Sequence, residues 1–122
     1  MRQLRVLVVD DEPGIRDLFS DVITMRGHQA VCAASGTEAL ELLRAERVDV
    51  VFLDIRMPNG DGISALKQIR KLKPMPTVVM ITGCGSREVV EEAIELGSSL
   101  VLMKPFSISD VTGVLDVVEA AA

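Results

Sequence analysis

The sequence predicts an α/β domain, a doubly wound parallel sheet of five strands with five helices on its two faces. The main observation is that short β-branched runs alternate five times with amphipathic segments along the 122 residues. Two of these runs, VVFL and VVMI, are apolar at every position, which is typical of strands covered on both faces. The chain length corresponds to one domain, which we expect to span residues 1–122.

Five runs are predicted as strands from their β-branched and apolar composition. In chain order they are Leu4–Val9, Gln29–Ala33, Val48–Leu53, Thr77–Ile81 and Ser99–Met103. Right-handed crossover connections leave few topologies for alternating strands and helices. We therefore expect the flavodoxin-like order 2-1-3-4-5, in which the direction of winding reverses between strands 1 and 3.

The first two segments between strands have the apolar spacing of helices. In the first, apolar residues recur at i, i+3, i+4, i+7 and i+8: Ile15, Leu18, Phe19, Val22 and Ile23. Gly27 is expected to end this helix. Ser35 and Glu38 form a capping-box pattern ahead of the second helix, which is expected over Ala39–Arg44.

Three further helices follow the same logic. Asp61 and Ser86 are expected to cap the third and fourth helices, and the fifth begins after Ser107. Gly97 is expected to close the fourth helix, and Gly113 is the weak point of the fifth. The residues on the apolar faces are Ile63, Leu66 and Ile69; Val89, Val90, Ala93 and Ile94; and Ile108, Val111, Leu115 and Val118.

Composition excludes several classes of protein. A net charge of −5 argues against direct nucleic-acid binding by this domain. No apolar stretch approaches the ~20 residues of a membrane helix, and acids follow the first strand too early for a signal peptide, so we expect a cytoplasmic protein without membrane contact. Cys32 and Cys84 are far apart and the chain has one histidine, which excludes a recognisable zinc pattern.

Polar side chains follow four of the predicted strands, at the point where each strand ends. Strand 1 leads into Asp10 and Asp11, and strands 3, 4 and 5 lead into Asp54, Thr82 and Lys104. The carboxyl ends of parallel strands lie at the same edge of a sheet, and strands 1 and 3 are neighbours in the expected order. Three carboxylates, a hydroxyl and an ammonium group should therefore lie close together.

Such a cluster needs more positive charge than one lysine supplies. Two like charges roughly 4 Å apart repel by about 4 kcal/mol at an effective dielectric constant of about 20. A site made of oxygen ligands suits Mg²⁺ or Mn²⁺, so we expect a divalent ion. Asp54 is then a candidate nucleophile towards phosphorus, giving an aspartyl phosphate, with the ion, Lys104 and Thr82 each holding one phosphoryl oxygen.

These motifs resemble the receiver domain of two-component response regulators. The likeness runs along the whole chain, through LRVLVVDDE, VVFLDIRMPNGDG, VVMITG and VLMKPF in that order. It implies that Asp54 is the phosphorylated residue, and that Asp10 and Asp11 bind the metal together with the backbone carbonyl of Arg56. The implied donor is a phosphohistidine on a sensor histidine kinase or a histidine phosphotransfer protein. Glu12 is similar to the family's common third acid, as a loop or helix-start residue.

The resemblance also implies how phosphorylation is read out. Thr82 and Lys104 contact the phosphoryl group in the family, and the Lys104–Pro105 bond is usually cis. The fourth helix, fifth strand and fifth helix form the face that responds, where a homodimer or an effector partner binds. Receivers often carry Tyr or Phe three residues before the lysine, a ring that swings inward as the threonine moves. This chain has Val101, so the switch is expected at Thr82 and Val101 without a large ring movement.

Two positions are expected to set the lifetime of the phosphoryl group. Arg56 and Cys84 lie two residues after Asp54 and Thr82, where their side chains would border the path of an attacking water. A plain surface arginine is the alternative interpretation of Arg56. We expect Arg56→Ala to change the dephosphorylation rate, and an unchanged rate would remove Arg56 from the mechanism.

Three other functions share part of the pattern. An aspartyl-phosphate hydrolase would share the acids, Thr82 and Lys104, but its general acid is expected where Arg56 stands. A flavodoxin-like cofactor binder needs a first loop that cradles phosphate, whereas this chain has DDEP there. A receiver-shaped module that no longer accepts phosphate is compatible with Val101 but not favoured by the intact acids. We therefore expect a signalling module rather than an enzyme.

Overall fold

In the part of the chain that the structure describes, ten alternating strands and helices form one sheet with helices on both faces. A computed structural model describes residues 3–58, 61–83, 87–98 and 100–121. The strands are β1 (Arg5–Val9), β2 (Gln29–Ala33), β3 (Val50–Asp54), β4 (Thr77–Thr82) and β5 (Leu100–Met103). The helices are α1 (Pro13–Met25), α2 (Gly36–Ala45), α3 (Asp61–Ile69), α4 (Arg87–Glu95) and α5 (Ile108–Ala121). All strand pairs are parallel in the order β2-β1-β3-β4-β5, so the predicted fold class is confirmed.

The sheet is buried between two layers of helices. Alternate side chains of each strand enter opposite layers. Val8 belongs to the apolar cluster that contains Phe19 of α1, whereas Leu7 belongs to the cluster that contains Leu66 of α3. The central strand β3 is buried at all five positions, which explains its uninterrupted apolar run. No helix in the described ranges is long and apolar enough to cross a membrane.

Two strand boundaries differ from the prediction in a way that affects the site. β3 begins at Val50 rather than Val48, which is buried ahead of the strand, and it continues to Asp54. β4 continues to Thr82. Strand pairing depends on the backbone, so a polar side chain does not end it: Asp54 pairs with Ile81 across the ladder. Asp54 and Thr82 are therefore held by the sheet itself.

Most predicted helix ends are confirmed. Ser35 Oγ accepts a hydrogen bond from the Glu38 backbone N–H at 3.2 Å, and Glu38 Oε2 accepts one from the Ala34 N–H at 3.3 Å. Gly27 and Gly97 have φ values of +84° and +103°, the left-handed conformation that closes α1 and α4. The C-terminal ends of α1 and α4 and the N-terminal end of α2 thus follow local sequence rules.

Two helix predictions are wrong in detail. α3 begins at Asp61 itself, and the Asp61 carboxylate accepts a hydrogen bond from the Gly36 N–H of α2 at 2.5 Å, so it caps a different helix. Ile94 and Ile108 were expected on buried helix faces but are 53% and 58% exposed. Ile108 is the first residue of α5, and helical side chains lean towards the N-terminus, so its side chain leans past the helix start. The predicted cap at Ser86 and strand start at Ser99 lie outside the described residues.

Candidate functional site

Three carboxylates meet at the carboxyl edge of the sheet, as predicted. One oxygen from each of Asp10, Asp11 and Asp54 lies within 4.8 Å of the others. Asp10 and Asp54 are buried, at 0% and 3% exposure, whereas Asp11 is exposed. The cluster therefore has a buried base and opens to solvent on the Asp11 side.

Lys104 places a cation beside these acids. Its Nζ lies 3.6 Å from Asp10 Oδ2, 3.8 Å from Asp54 Oδ2 and 3.7 Å from Glu12 Oε1. Its backbone N–H donates to the Thr82 carbonyl at 2.8 Å, which fixes the lysine next to the end of β4. Burial lowers the pKa of Lys104, but the three carboxylates raise that pKa by more, so it lies above its usual value. The side chain is thus held in its charged form.

Asp10 is the most constrained of the acids. Its N–H donates to the Ala33 carbonyl at 3.2 Å, and its Oδ1 accepts from the Glu12 N–H at 2.9 Å. Burial raises the pKa of Asp10 to about 6; the Glu12 hydrogen bond lowers it, Asp54 raises it and Lys104 lowers it. Oδ2 is buried and accepts no hydrogen bond from the described residues. An acceptor oxygen without a hydrogen-bond donor, within a cluster of acids, suits a divalent cation with oxygen ligands.

Asp54 is positioned by the turn that follows β3. Its Oδ1 accepts from the Arg56 N–H at 2.9 Å, while Oδ2 is the oxygen that faces Lys104. α3 begins directly behind this turn, where a Cβ atom on Gly62 would lie 2.4 Å from the Asp54 carbonyl and 2.5 Å from that of Ile55. Sequence reasoning missed Gly62, because the run IRMPNGDG indicated only a turn. The close approach requires glycine.

Thr82 ends β4 with a fully buried side chain. Its Oγ1 has no hydrogen-bond partner in the part of the chain that the structure describes. A buried hydroxyl without a hydrogen-bond partner destabilises the folded protein, so packing alone does not explain a threonine at this position. The expected contact of this hydroxyl with a phosphoryl oxygen would be a reason for the threonine, and that contact stays a prediction.

We expect Thr82→Val to stabilise the metal-free, unphosphorylated protein by about 1 kcal/mol, because a methyl group of the same shape replaces a buried hydroxyl that has no hydrogen-bond partner among the described residues. Urea unfolding in EDTA measures this change. Thr77→Val, at the half-buried start of the same strand, is the matched control and should change stability by less. A loss of stability in Thr82→Val would show that the hydroxyl already has a partner.

The remaining predicted positions are more dispersed. Arg56 is exposed, and its carbonyl as a metal ligand stays a prediction. Val101 is half-buried in β5 and packs against the apolar cluster on the side of α2 and α3. The Lys104–Pro105 bond is cis, as the resemblance implies. Cys84 lies outside the described residues, so its expected role in phosphoryl lifetime also stays a prediction.

The sequence profile of the response regulator receiver domain matches residues 6–116. The chain belongs to that family. Sporulation initiation phosphotransferase F of Bacillus subtilis is 36% identical to this receiver domain over 111 residues, which cover 91% of this chain and 90% of that protein. The regulatory protein AtoC of Escherichia coli is 37% identical over 106 residues, 87% of this chain but 23% of AtoC.

A solved structure shows the same fold. The chemotaxis protein CheY4 of Vibrio cholerae superposes on this receiver domain with a TM-score of 0.89 and 30% identity, over 96% of this chain and 99% of that chain. Receiver domains are the phosphoacceptor modules of two-component systems. The predicted family and its signalling function are therefore confirmed, and AtoC shows that a receiver domain can be a small part of a longer regulator.

Proposed function

We propose that this receiver domain accepts a phosphoryl group on Asp54, with Mg²⁺ bound by Asp10, Asp11 and Asp54. The donor is a phosphohistidine on a sensor histidine kinase or a histidine phosphotransfer protein. One observation carries the proposal: the Asp54 carboxylate is buried, with one oxygen held by a backbone N–H and the other 3.8 Å from the Lys104 ammonium. The buried Oδ2 of Asp10, which accepts no hydrogen bond from the described residues and has the Lys104 ammonium 3.6 Å away, supports the metal, for which Mn²⁺ is the alternative ion.

The chemistry follows from these positions. A carboxylate oxygen of Asp54 forms the new bond to phosphorus, while the P–N bond of the phosphohistidine breaks and its electron pair leaves with the imidazole. No general base is needed, because an ionised carboxylate is already a nucleophile. Lys104 and Thr82 each contact a phosphoryl oxygen, since this reaction depends on positioning and charge neutralisation. Mg²⁺, when bound by Asp10, Asp11 and Asp54, would supply further positive charge for the transfer.

Labelling with a small phosphoryl donor tests this proposal. The protein incubated with Mg²⁺ and acetyl phosphate should gain one phosphoryl group in its intact mass, in a linkage more stable in acid than in base. Asp54→Asn should abolish the label, because the amide is not a nucleophile. Asp21→Asn, an exposed position on α1, should leave it unchanged. A label that persists in Asp54→Asn or in EDTA would contradict the proposal.

Arg56→Ala tests the lifetime of the aspartyl phosphate. The side chain stands two residues after Asp54 and is exposed, and the backbone N–H of Arg56 donates to Asp54 Oδ1. We expect a changed dephosphorylation rate, measured as loss of the label after the donor is removed. Arg47→Ala is the control and should keep the parent rate, because Arg47 precedes β3 and lies at the amino-terminal end of that strand, away from Asp54. Equal rates for all three proteins would exclude a role for Arg56.

The output surface we propose is the face formed by α4, β5 and α5. Each of these elements exposes a large apolar side chain: Ile94, Met103 and Ile108 are 53%, 58% and 58% exposed. Exposed apolar side chains of this size favour a protein contact where they form one patch. Phosphorylation would act on this face through Thr82 and Val101, so that a second copy or an effector binds there. In this role the domain acts in the cytoplasm.

A further inference from the structure

Arg16 connects α1 to the acid cluster. It is the fourth residue of α1 and is half-buried, and its Nη1 donates a hydrogen bond to the backbone carbonyl of Asp10 at 2.7 Å. That carbonyl belongs to the peptide group that joins Asp10 to Asp11. The arginine therefore contacts the backbone between the two acids rather than one of their carboxylate oxygens.

This contact completes the restraints on Asp10. Its N–H is bonded to the Ala33 carbonyl and its Oδ1 to the Glu12 N–H, so the Arg16 bond holds the last free backbone group. A peptide group is planar, so fixing the direction of the Asp10 carbonyl also fixes where the Cα of Asp11 lies. The backbone path into Asp11 thus depends on Arg16.

Asp11 has little else to orient it. Its side chain is exposed and makes no hydrogen bond or ion pair with the residues that the structure describes. Even so, one of its carboxylate oxygens lies within 4.8 Å of an oxygen of Asp10 and of Asp54. Something in the backbone must hold it there against the repulsion of two like charges.

We propose that Arg16 is a positioning residue for the metal site, which orients the Asp10–Asp11 peptide so that the Asp11 carboxylate can join the other two acids. The inference rests on the proposed Mg²⁺ site. Arginine suits this role because its planar guanidinium stays charged and forms a directional hydrogen bond. Sequence reasoning missed it, because Arg16 lies on the polar face of an amphipathic helix and gives no sign that it bends back towards β1.

Calorimetric titration of the metal-free protein with MgCl₂, without a phosphoryl donor, tests the inference. Arg16→Met keeps a side chain of similar bulk but removes the donor, and we expect Mg²⁺ affinity to fall about tenfold, as for other residues that orient metal ligands. Arg16→Lys keeps one donor and should recover part of the loss. In acetyl phosphate labelling, Arg16→Met should raise the half-saturating Mg²⁺ concentration by a similar factor, while the rate at saturating Mg²⁺ stays near that of the parent.

Arg26→Met is the matched control. Arg26 lies just after the same helix, and its guanidinium pairs with Asp116 of α5. This contact involves none of the three clustered carboxylates, Asp10, Asp11 and Asp54. Its loss removes an α1–α5 ion pair but should leave Mg²⁺ affinity unchanged. If circular dichroism shows that Arg16→Met is unfolded, Arg16→Gln replaces it. The shorter glutamine amide cannot reach the Asp10 carbonyl in the same way.

The outcomes separate the two proposals. Mg²⁺ binding by Arg16→Met as tight as by the parent protein would overturn the role of Arg16 and leave the metal site intact. An equal loss in Arg26→Met would also overturn it, because the effect would then follow from helix stability. A parent protein that binds no Mg²⁺ would instead overturn the proposed function, and the role of Arg16 with it.

Discussion

Gly62→Ala is expected to lower the free energy of unfolding by about 3 kcal/mol, because its new methyl group has no space. The added Cβ would lie 2.4 Å from the Asp54 carbonyl, 2.5 Å from the Ile55 carbonyl and 2.6 Å from the Ile55 Cα. All three contacts are with backbone atoms of the turn that carries Asp54, so relief requires α3 to move away from β3. Urea unfolding monitored by circular dichroism measures the loss.

Gly113→Ala provides a control of opposite sign. Gly113 lies within α5, and a Cβ atom there would meet nothing within 4 Å. Alanine in an open helix interior is expected to stabilise by up to about 1 kcal/mol, because it restricts the unfolded chain and favours the helix. If Gly62→Ala also stabilised the protein, α3 would not lie against the turn as the structure has it.

The proximity of the site residues could be predicted because it depends only on the order of the strands in the sheet. A residue that follows a buried strand must lie at the carboxyl edge of the sheet, whatever its rotamer. Asp10, Asp54, Thr82 and Lys104 needed only the right strands and the right strand order. Both could be read from the apolar runs, since a strand buried on two faces leaves a distinct pattern.

The contacts that refine the site could not be predicted in the same way. Two side-chain hydrogen bonds depend on rotamers that no spacing rule specifies. Arg16 donates to the Asp10 carbonyl, and Asp61 accepts from the Gly36 N–H. The close approach of Gly62 to the backbone of Asp54 and Ile55 could not be predicted for a similar reason. The pair DG is typical of a turn whether or not a strand packs against it. Local patterns report which element a residue belongs to, and only packing reports what lies next to it.

Asp10→Asn is expected to have opposite effects on the protein with and without metal. Burial raises the pKa of Asp10 from 3.8 to about 6, so the folded state is penalised wherever this carboxylate is charged. The penalty begins as the pH rises through 3.8, where the carboxyl ionises in the unfolded chain, and it is complete above about pH 6, where the carboxyl is ionised in the folded protein as well. In EDTA at pH 7 the asparagine variant should therefore be more stable than the parent, by about 1–3 kcal/mol.

Mg²⁺ should reverse this order. Binding requires the ionised carboxylate, so the ion stabilises the parent protein at pH 7. This stabilisation of the protein becomes progressively smaller as the pH falls through about 6. Asp10→Asn lacks this ligand and should show little increase in melting temperature with Mg²⁺ at any pH. Asp11→Asn separates the two effects: it should also lose the metal response, but its exposed side chain gives no comparable gain in EDTA. If Asp10→Asn were less stable than the parent in EDTA at pH 7, the attraction between Asp10 and Lys104 would outweigh burial, and the cluster would not need a metal ion to relieve its charge.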